Sequence, residues 1–175
     1  MSVLDSAIAN IALPTIAHDM AASPAASIWV VNAYQLAVTV SLLPLASLGD
    51  ILGHRRVDMV GLALFTLASG ACALTHSLPA LVAARVIQGF GGAGIMSVNT
   101  AIIRFIFPRA QLGRGIGLNA LIVATSAALG PTIAAASLSV ADWHWLFAVN
   151  VPLGVIALAI ALRVLPHTSC SGHRF

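Results

Sequence analysis

Two charged side chains stand inside apolar stretches of this sequence. Arg85 is the only formal charge between Ser77 and Ile103, and Asp5 lies in the apolar stretch VLDSAIANIALP. A charge in apolar surroundings is costly unless an opposite charge or a polar path accompanies it. Burial favours the protonated form of an acid, whereas a nearby arginine favours the carboxylate. A carboxylate that an arginine approaches and leaves would therefore bind and release a proton; a purely structural pair and two separate charges are the alternatives.

The residues that follow Arg85 predict that its helix face is packed. Gln88 and Gly89 lie three and four positions after Arg85, which places them on the same face of a helix. Glycines at 89, 91, 92 and 94 would let another helix approach this face closely. An arginine near the outer surface can instead extend its side chain to the lipid headgroups. On a packed face it needs a counter-charge, and Asp5 is the only acid that we place at membrane depth.

Composition predicts an integral membrane protein. Hydrophobic residues make up 59% of the 175 residues and charged residues 7%, whereas soluble domains carry about 25% charged residues. The net charge of +3 forms no basic stripe, which excludes a nucleic-acid partner. Cys72 and Cys170 give no disulfide framework. His167, Cys170 and His173 have ligand-like spacing, but we predict a frayed tail there and no metal site.

Charged residues, prolines and glycines divide the chain into six predicted spans, since about 20 apolar residues cross a bilayer as a helix. Seven of the eight arginines follow the second, fourth and sixth spans, and the other three connections contain none. The positive-inside rule then places both termini in the cytoplasm. The first span is short, so we expect its natural helix to begin upstream of this chain. The spans are Met1–Ala17, Ser27–Leu48, Val57–Thr75, Pro79–Ile103, Gly115–Leu138 and Trp143–Leu165.

Five motifs in order resemble the major facilitator superfamily, and within it the fourteen-helix drug:proton antiporters. LDSAIANIALPTI is similar to the first-helix motif, and WVVNAYQLAVTVSLLPLASLGDILGHRRV to the second helix and the following loop. ARVIQGFGGAG, ALGPTIAAA and DWHWLFAVNVPLG resemble the fourth, fifth and sixth helices. The resemblance implies an all-α membrane protein whose six transmembrane helices form the N-terminal half-bundle, a 3+3 inverted repeat, of a major facilitator fold. Residues 1–166 would form this bundle, and residues 167–175 an atypical cytoplasmic tail.

The resemblance also implies roles for residues at matching positions. Asp5 and Arg85 take the proton-coupling positions, and Gln88 and Gly89 complete the fourth-helix motif. Other polar groups at membrane depth line a pathway or, alternatively, join helices by hydrogen bonds. The pathway candidates are Asn10, Asn32, Tyr34, Gln35 and Asn119.

Two further motifs differ from the family pattern. In the cytoplasmic loop, Asp50, Gly53, Arg55 and Arg56 would form a latch between two bundles, although membrane anchoring also explains the arginines. Gly130 and Pro131 fall on the antiporter motif of helix five, where a generic proline kink is the alternative. The departures that would weaken these motifs are Ala46, Ile51, His54, Ala134 and Ala135.

These features predict the N-terminal half of a proton-coupled efflux antiporter in a bacterial inner membrane. Its partners would be protons, a small amphipathic or cationic substrate, the bilayer and a missing C-terminal half. We predict no enzyme activity and no cofactor, because no catalytic or metal-ligand constellation shares a common depth. The alternative is a non-transporting remnant or a structural membrane protein. Reading frames after Phe175 would distinguish the two.

Overall fold

Helices form nearly all of the chain that the structure describes. The computed structural model describes residues 2–138 and 142–164, and no β-strand occurs in these two ranges. A 3-10 turn at Arg109–Gln111 joins α5 to α6. The helices are α1 (Ser2–Asp19), α2 (Pro24–Ser27), α3 (Trp29–Leu52), α4 (His54–Ala73), α5 (Leu78–Ile106), α6 (Leu112–Leu138), α7 (Trp143–Ala148) and α8 (Asn150–Val164).

Five helical segments of the described chain are long and apolar enough to cross a bilayer. They correspond to the second to sixth predicted spans, with α2 and α3 forming one segment and α7 and α8 another. The first predicted span is α1, which has 18 residues, carries Asp5 in its first turn and is not among the five. The prediction of an all-α membrane bundle is confirmed. The five segments are Pro24–Leu52, His54–Ala73, Leu78–Ile106, Arg109–Leu138 and Trp143–Arg163.

Helices α3 and α5 run parallel. Gly89, in the first half of α5, faces Tyr34 in the first half of α3. Gly49 and Val98 face each other further along both helices. Helix α4 runs antiparallel to them, because Cys72 near its end contacts Gln88 near the start of α5.

Because successive long helices run in alternating directions, the arginines at their ends lie at one end of the bundle. The Nη2 of Arg55, at the start of α4, donates a 3.0 Å hydrogen bond to the carbonyl oxygen of Leu162 in the last turn of α8. The ring of the neighbouring His54 lies 5.9 Å from that of Phe105 at the end of α5. The start of α4 therefore meets the ends of α5 and α8. We call this the arginine end, and it carries Arg55, Arg56, Arg104, Arg109, Arg114 and Arg163.

The opposite end holds the connections without arginine. The indole Nε1 of Trp143, at the start of α7, donates a 2.9 Å hydrogen bond to Asp19 at the end of α1. The rings of His76 and His144 lie 6.0 Å apart. The two ends therefore differ in charge as the six-span prediction requires.

Glycines let α5 pack at backbone distance against α3 and α4. A Cβ added at Gly89 would lie 2.7 Å from the Tyr34 carbonyl oxygen in α3. A Cβ at Gly91 would lie 2.5 Å from the Phe65 backbone nitrogen in α4. Any side chain at either position would therefore push two helices apart. The predicted close packing of this face is present.

The helix contacts are consistent with two repeats of three spans each. Helices α1, α3 and α4 form the first three spans, and α5, α6 and α7–α8 the second three. Exchanging the two sets turns the contact between α1 and α6 into the contact between α5 and α3, and both contacts are present. The predicted tail 167–175, with His167, Cys170 and His173, lies outside the described residues.

Candidate functional site

The Arg85 side chain is buried at the centre of the bundle. It is 0% exposed and extends from α5 toward α1. Its Nη1 donates to Oδ2 of Asp5 at 2.5 Å and to Oε1 of Gln88 at 2.7 Å. Its Nε donates to the carbonyl oxygen of Val30 in α3 at 3.1 Å. The structure therefore brings together the two intramembrane charges, and the arginine does not extend toward solvent.

Among the described residues, the Asp5 carboxylate accepts hydrogen bonds from three side chains, which belong to the two helices α5 and α8. In the part of the chain that the structure describes, Oδ2 accepts only from Arg85. Oδ1 accepts from Nε2 of Gln88 at 3.1 Å and from Nδ2 of Asn150, the first residue of α8, at 2.7 Å. Asp5 is 1% exposed and Asn150 is 2% exposed. Three N–H donors therefore take the place of water around this buried acid.

Gln88 links the ion pair to α4. Its Nε2 donates to the hydroxyl oxygen of Ser69 at 2.8 Å as well as to Asp5. The Sγ of Cys72 lies 3.7 Å from Oε1 of Gln88. Ser69, Cys72 and Gln88 are all fully buried. Four helices, α1, α4, α5 and α8, therefore meet in one hydrogen-bonded network.

Aromatic rings cover the Arg85 guanidinium. Its Cζ lies 4.4 Å from the centroid of the Tyr34 ring and 5.5 Å from that of Phe147. Such contacts attract a cation to the ring face, more strongly in a desolvated site. In the described chain, Nη2 of Arg85 is buried with no hydrogen-bond partner. The guanidinium is therefore held by one charge, two neutral acceptors and two rings.

The pathway candidates lie in different places. Tyr34 is buried under Arg85. Asn10, Asn32 and Gln35 are exposed, and Nδ2 of Asn10 donates to the Ser6 carbonyl oxygen in its own helix. Asn119 of α6 accepts a 3.1 Å hydrogen bond from Asn99 of α5, and so joins two helices.

The cytoplasmic-loop motif lies where α3 ends and α4 begins. Gly53 has φ 95° and ψ 130°, a backbone conformation that side chains rarely adopt, so glycine permits this turn. The Asp50 side chain is 76% exposed, and its only ion-pair partner among the described residues is His54, at 3.2 Å. It does not cap α4, whose N-terminus has no side-chain cap. Arg55 bonds α8 and Arg56 is exposed.

The antiporter-motif residues lie inside the continuous helix α6. Gly130 is buried and Pro131 is exposed. Pro131 has no backbone N–H, so the carbonyl oxygen of Ala127 loses its regular helical donor. One turn further along α6, Ala134 belongs to the same buried cluster as Ile8 and Ala12 of α1, so this part of α6 packs on the helix that carries Asp5.

Sequence reasoning missed two kinds of residue. Asn150, Ser69 and Phe147 belong to the network, and an amide in the apolar stretch FAVNVPLG was a readable signal for Asn150. Asp58 lies near the start of α4, at the arginine end, and is half-buried, so it is a second acid within a predicted span. Asp58 was overlooked because it is the second residue of the predicted third span. Within the described ranges, no three His, Cys, Asp or Glu side chains are grouped as a metal site requires.

Comparison with known proteins gives one family. Residues 1–170 match the family model of the Major Facilitator Superfamily. The uncharacterized transporter YebQ of Escherichia coli K12 is 63% identical over 166 residues, 95% of this chain and 36% of that protein. The tetracenomycin C resistance and export protein of Streptomyces glaucescens is 39% identical over 165 residues, 94% of this chain and 31% of that protein. The riboflavin transporter RibZ of Clostridioides difficile is 35% identical over 166 residues, which are 95% of this chain and 36% of that protein. The chain thus spans about a third of the length of these relatives.

Proposed function

The chain belongs to the Major Facilitator Superfamily, and from this premise we propose that it is the N-terminal half of a proton-coupled antiporter. Its substrates are small amphipathic or cationic compounds, which it exports across a bacterial inner membrane. Both termini of the bundle, at the arginine end, lie in the cytoplasm. The observation that carries the proposal is the buried pair of Asp5 and Arg85.

The ion pair supports proton coupling because its charges balance only while Asp5 is ionised. When Asp5 binds a proton, Arg85 keeps its charge and loses its counter-charge. Arg85 retains two neutral acceptors, Val30 and Gln88, and two aromatic faces. The protonated and ionised states therefore favour different positions of the arginine, and α5 would move relative to α1.

The proton gradient supplies enough free energy for export. An inward gradient of about two pH units is worth about 2.7 kcal/mol per proton, which sustains about a hundredfold substrate gradient at one-for-one exchange. Only interactions that differ between two states shift the equilibrium between them. The Asp5–Arg85 contact is such an interaction, since protonation of Asp5 removes its ionic part.

A second half would complete the transporter. The relatives extend well beyond the region that this chain matches, and two opposing bundles are needed to enclose a substrate. We propose that Asp50, exposed at the arginine end, latches this bundle to the missing half. The alternative of a non-transporting structural protein is not favoured, because the relatives named above are transporters or an export protein.

Transport in a chimera tests the proposal. The chain is joined in frame to the remainder of YebQ. The fluorescent cation ethidium is then added outside inside-out vesicles that have an acid interior. We expect gradient-driven uptake by the unmodified chimera and none by Asp5→Asn, which holds no titratable carboxyl group. Exchange of labelled for unlabelled ethidium without a gradient should survive in Asp5→Asn.

Asp142→Asn is the matched control, because Asp142 is exposed at the opposite end and makes no side-chain cap to α7. It should take up ethidium as the unmodified chimera does. Uptake by Asp5→Asn at the unmodified rate would exclude Asp5 as the coupling residue. Uptake that persists after the gradient is collapsed would exclude proton coupling altogether.

A further inference from the structure

The two oxygens of the Asp5 carboxylate have different surroundings. Oδ1 accepts two hydrogen bonds from uncharged amides, Nε2 of Gln88 and Nδ2 of Asn150. Oδ2 accepts one, from the charged guanidinium of Arg85. Only the contact at Oδ2 depends on an ionic attraction that disappears when the acid is neutral.

We infer that Oδ2 of Asp5 is the oxygen that binds the proton, and that Asn150 is a positioning residue that holds Oδ1 in both protonation states. The inference rests on the proposed proton coupling. In the step, the hydrogen bond from Arg85 to Oδ2 breaks, and a hydronium ion transfers a proton that forms an O–H bond at Oδ2 and leaves a water molecule. Oδ1 becomes the carbonyl oxygen, and Arg85 keeps its proton and its charge.

Amide donors suit an oxygen that does not titrate. A neutral carbonyl oxygen still accepts two N–H donors, so Gln88 and Asn150 can keep their contacts after protonation. A proton on Oδ1 would instead confront two N–H groups that cannot accept it. Asn150 begins α8, and so ties the second three-span set to the carboxylate of α1.

Among the described residues, few groups that titrate face Asp5. They are Arg85 and the Cys72 thiol, which interacts electrostatically with both charges. The Tyr34 phenol belongs to the ring beneath Arg85. In the described chain none of the other titratable side chains of these helices is hydrogen-bonded to Asp5; they are His18, Asp19, Asp50, His54, Arg55, Arg56, Asp58, Arg104, Arg114, His144 and Arg163.

Infrared spectroscopy of the chain in lipid nanodiscs, with ¹³C-labelled aspartate, tests the inference. The carboxyl band that is lost in Asp5→Asn is assigned to Asp5. In the unmodified chain its frequency should be that of a carbonyl group with two hydrogen bonds, below that of a free acid. In Asn150→Leu the band should move to higher frequency, because Oδ1 loses one donor.

The pH at which the Asp5 carboxyl band is half its full intensity should change as well. A hydrogen bond to a charged acceptor is about twice as strong as one to a neutral acceptor, so the Asp5 carboxyl band should persist to higher pH in Asn150→Leu than in the unmodified chain. Asn150→Asp, which keeps the shape of the side chain, should raise that pH further because two carboxyl groups then share a proton. Thr66→Val is the control. Thr66 is buried like Asn150, but it lies in α4 and its hydroxyl group donates a hydrogen bond within its own helix.

The outcomes separate this inference from the proposed function. An Asp5 band that never titrates in the unmodified chain would overturn proton coupling itself. A band that titrates in the unmodified chain, but with the frequency of a free acid, would overturn the assignment of Oδ2. Asn150 variants that match Thr66→Val in frequency and titration would overturn the role of Asn150.

Discussion

At the scale of single residues, the buried arginine keeps its charge because its surroundings replace water in several ways. One carboxylate balances the charge, two neutral oxygens accept N–H groups, and the Tyr34 and Phe147 rings cover the guanidinium. A buried pair that loses one partner leaves an uncompensated charge, which is more costly than the intact pair. The neutral contacts lower that cost when Asp5 is protonated, and so make a reversible switch feasible.

The Tyr34 ring should therefore contribute to stability through its contact with Arg85. We expect Tyr34→Leu to lower the free energy of unfolding by about 2 kcal/mol, the size of a desolvated cation–π contact. Tyr34→Phe keeps the ring face and should lose less. Denaturant unfolding in detergent micelles measures both variants, and equal losses would show that the hydroxyl group, and not the ring face over Arg85, makes the contribution.

The sequence predicted the Asp5–Arg85 contact because charges are rare in this chain and each needs a partner. It did not predict Asn150, because an amide at membrane depth is also compatible with lining a pathway or joining other helices. Helices that are apolar on nearly every side do not reveal which face a single polar residue occupies. The positions of Tyr34 under Arg85 and of Asn32 on an exposed surface could likewise not be told apart from the sequence.

At the scale of helices, backbone-distance packing of α5 fixes where Arg85 points. Gly89 brings α3 close on one side and Gly91 brings α4 close on the other. The guanidinium is then confined between the α3 backbone at Val30 and the acid of α1. A small change in the packing of α5 would therefore displace the charge.

Alanine at Gly91 should separate α4 from α5. The new Cβ would lie 2.5 Å from the Phe65 nitrogen and 2.8 Å from the Gly61 carbonyl oxygen, both backbone atoms that cannot rotate away. Overpacking of this kind costs about 1–3 kcal/mol. Gly117→Ala in α6 is the matched control, since nothing lies within 4 Å of its Cβ position. A thermal unfolding midpoint that falls equally in both variants would contradict this account of the packing.

Span prediction located all six helical segments but not their ends. Apolar length sets the predicted spans, whereas backbone hydrogen bonds continue each helix past the apolar stretch: α3 extends to Leu52 and α5 to Ile106. The break between α7 and α8 at Val149 follows from Pro152, which has no N–H to donate to the carbonyl oxygen of Ala148, but apolar length does not include this signal. Hydropathy alone therefore gives the number of segments and leaves their boundaries uncertain by several residues.

At the scale of the whole molecule, alternating helix directions place the arginine-bearing connections together. Arg55 bonds the end of α8, and Asp19 bonds the start of α7 at the opposite end. The proposal that the arginine end is cytoplasmic follows from the cost of moving positive charges across the membrane. The prediction of a bundle boundary at residue 166 stays a prediction.

Reporter fusions test this orientation. We expect alkaline phosphatase to be active when fused after His76 or Asp142, and inactive after Arg109, because the enzyme folds only outside the cytoplasm. A reporter that is active in both compartments, fused at the same positions, controls for expression. Phosphatase activity after Arg109 together with inactivity after His76 would reverse the proposed topology.

The protonation state of Asp5 in the presence and absence of Arg85 tests the central claim most directly. The measurement is the infrared carboxyl band of Asp5 against pH in the unmodified chain and in Arg85→Ala. A neighbouring arginine favours the carboxylate, so the carboxyl band should persist to higher pH in Arg85→Ala than in the unmodified chain. If the band titrates at the same pH in both proteins, Arg85 does not control the proton on Asp5, and the pair is structural.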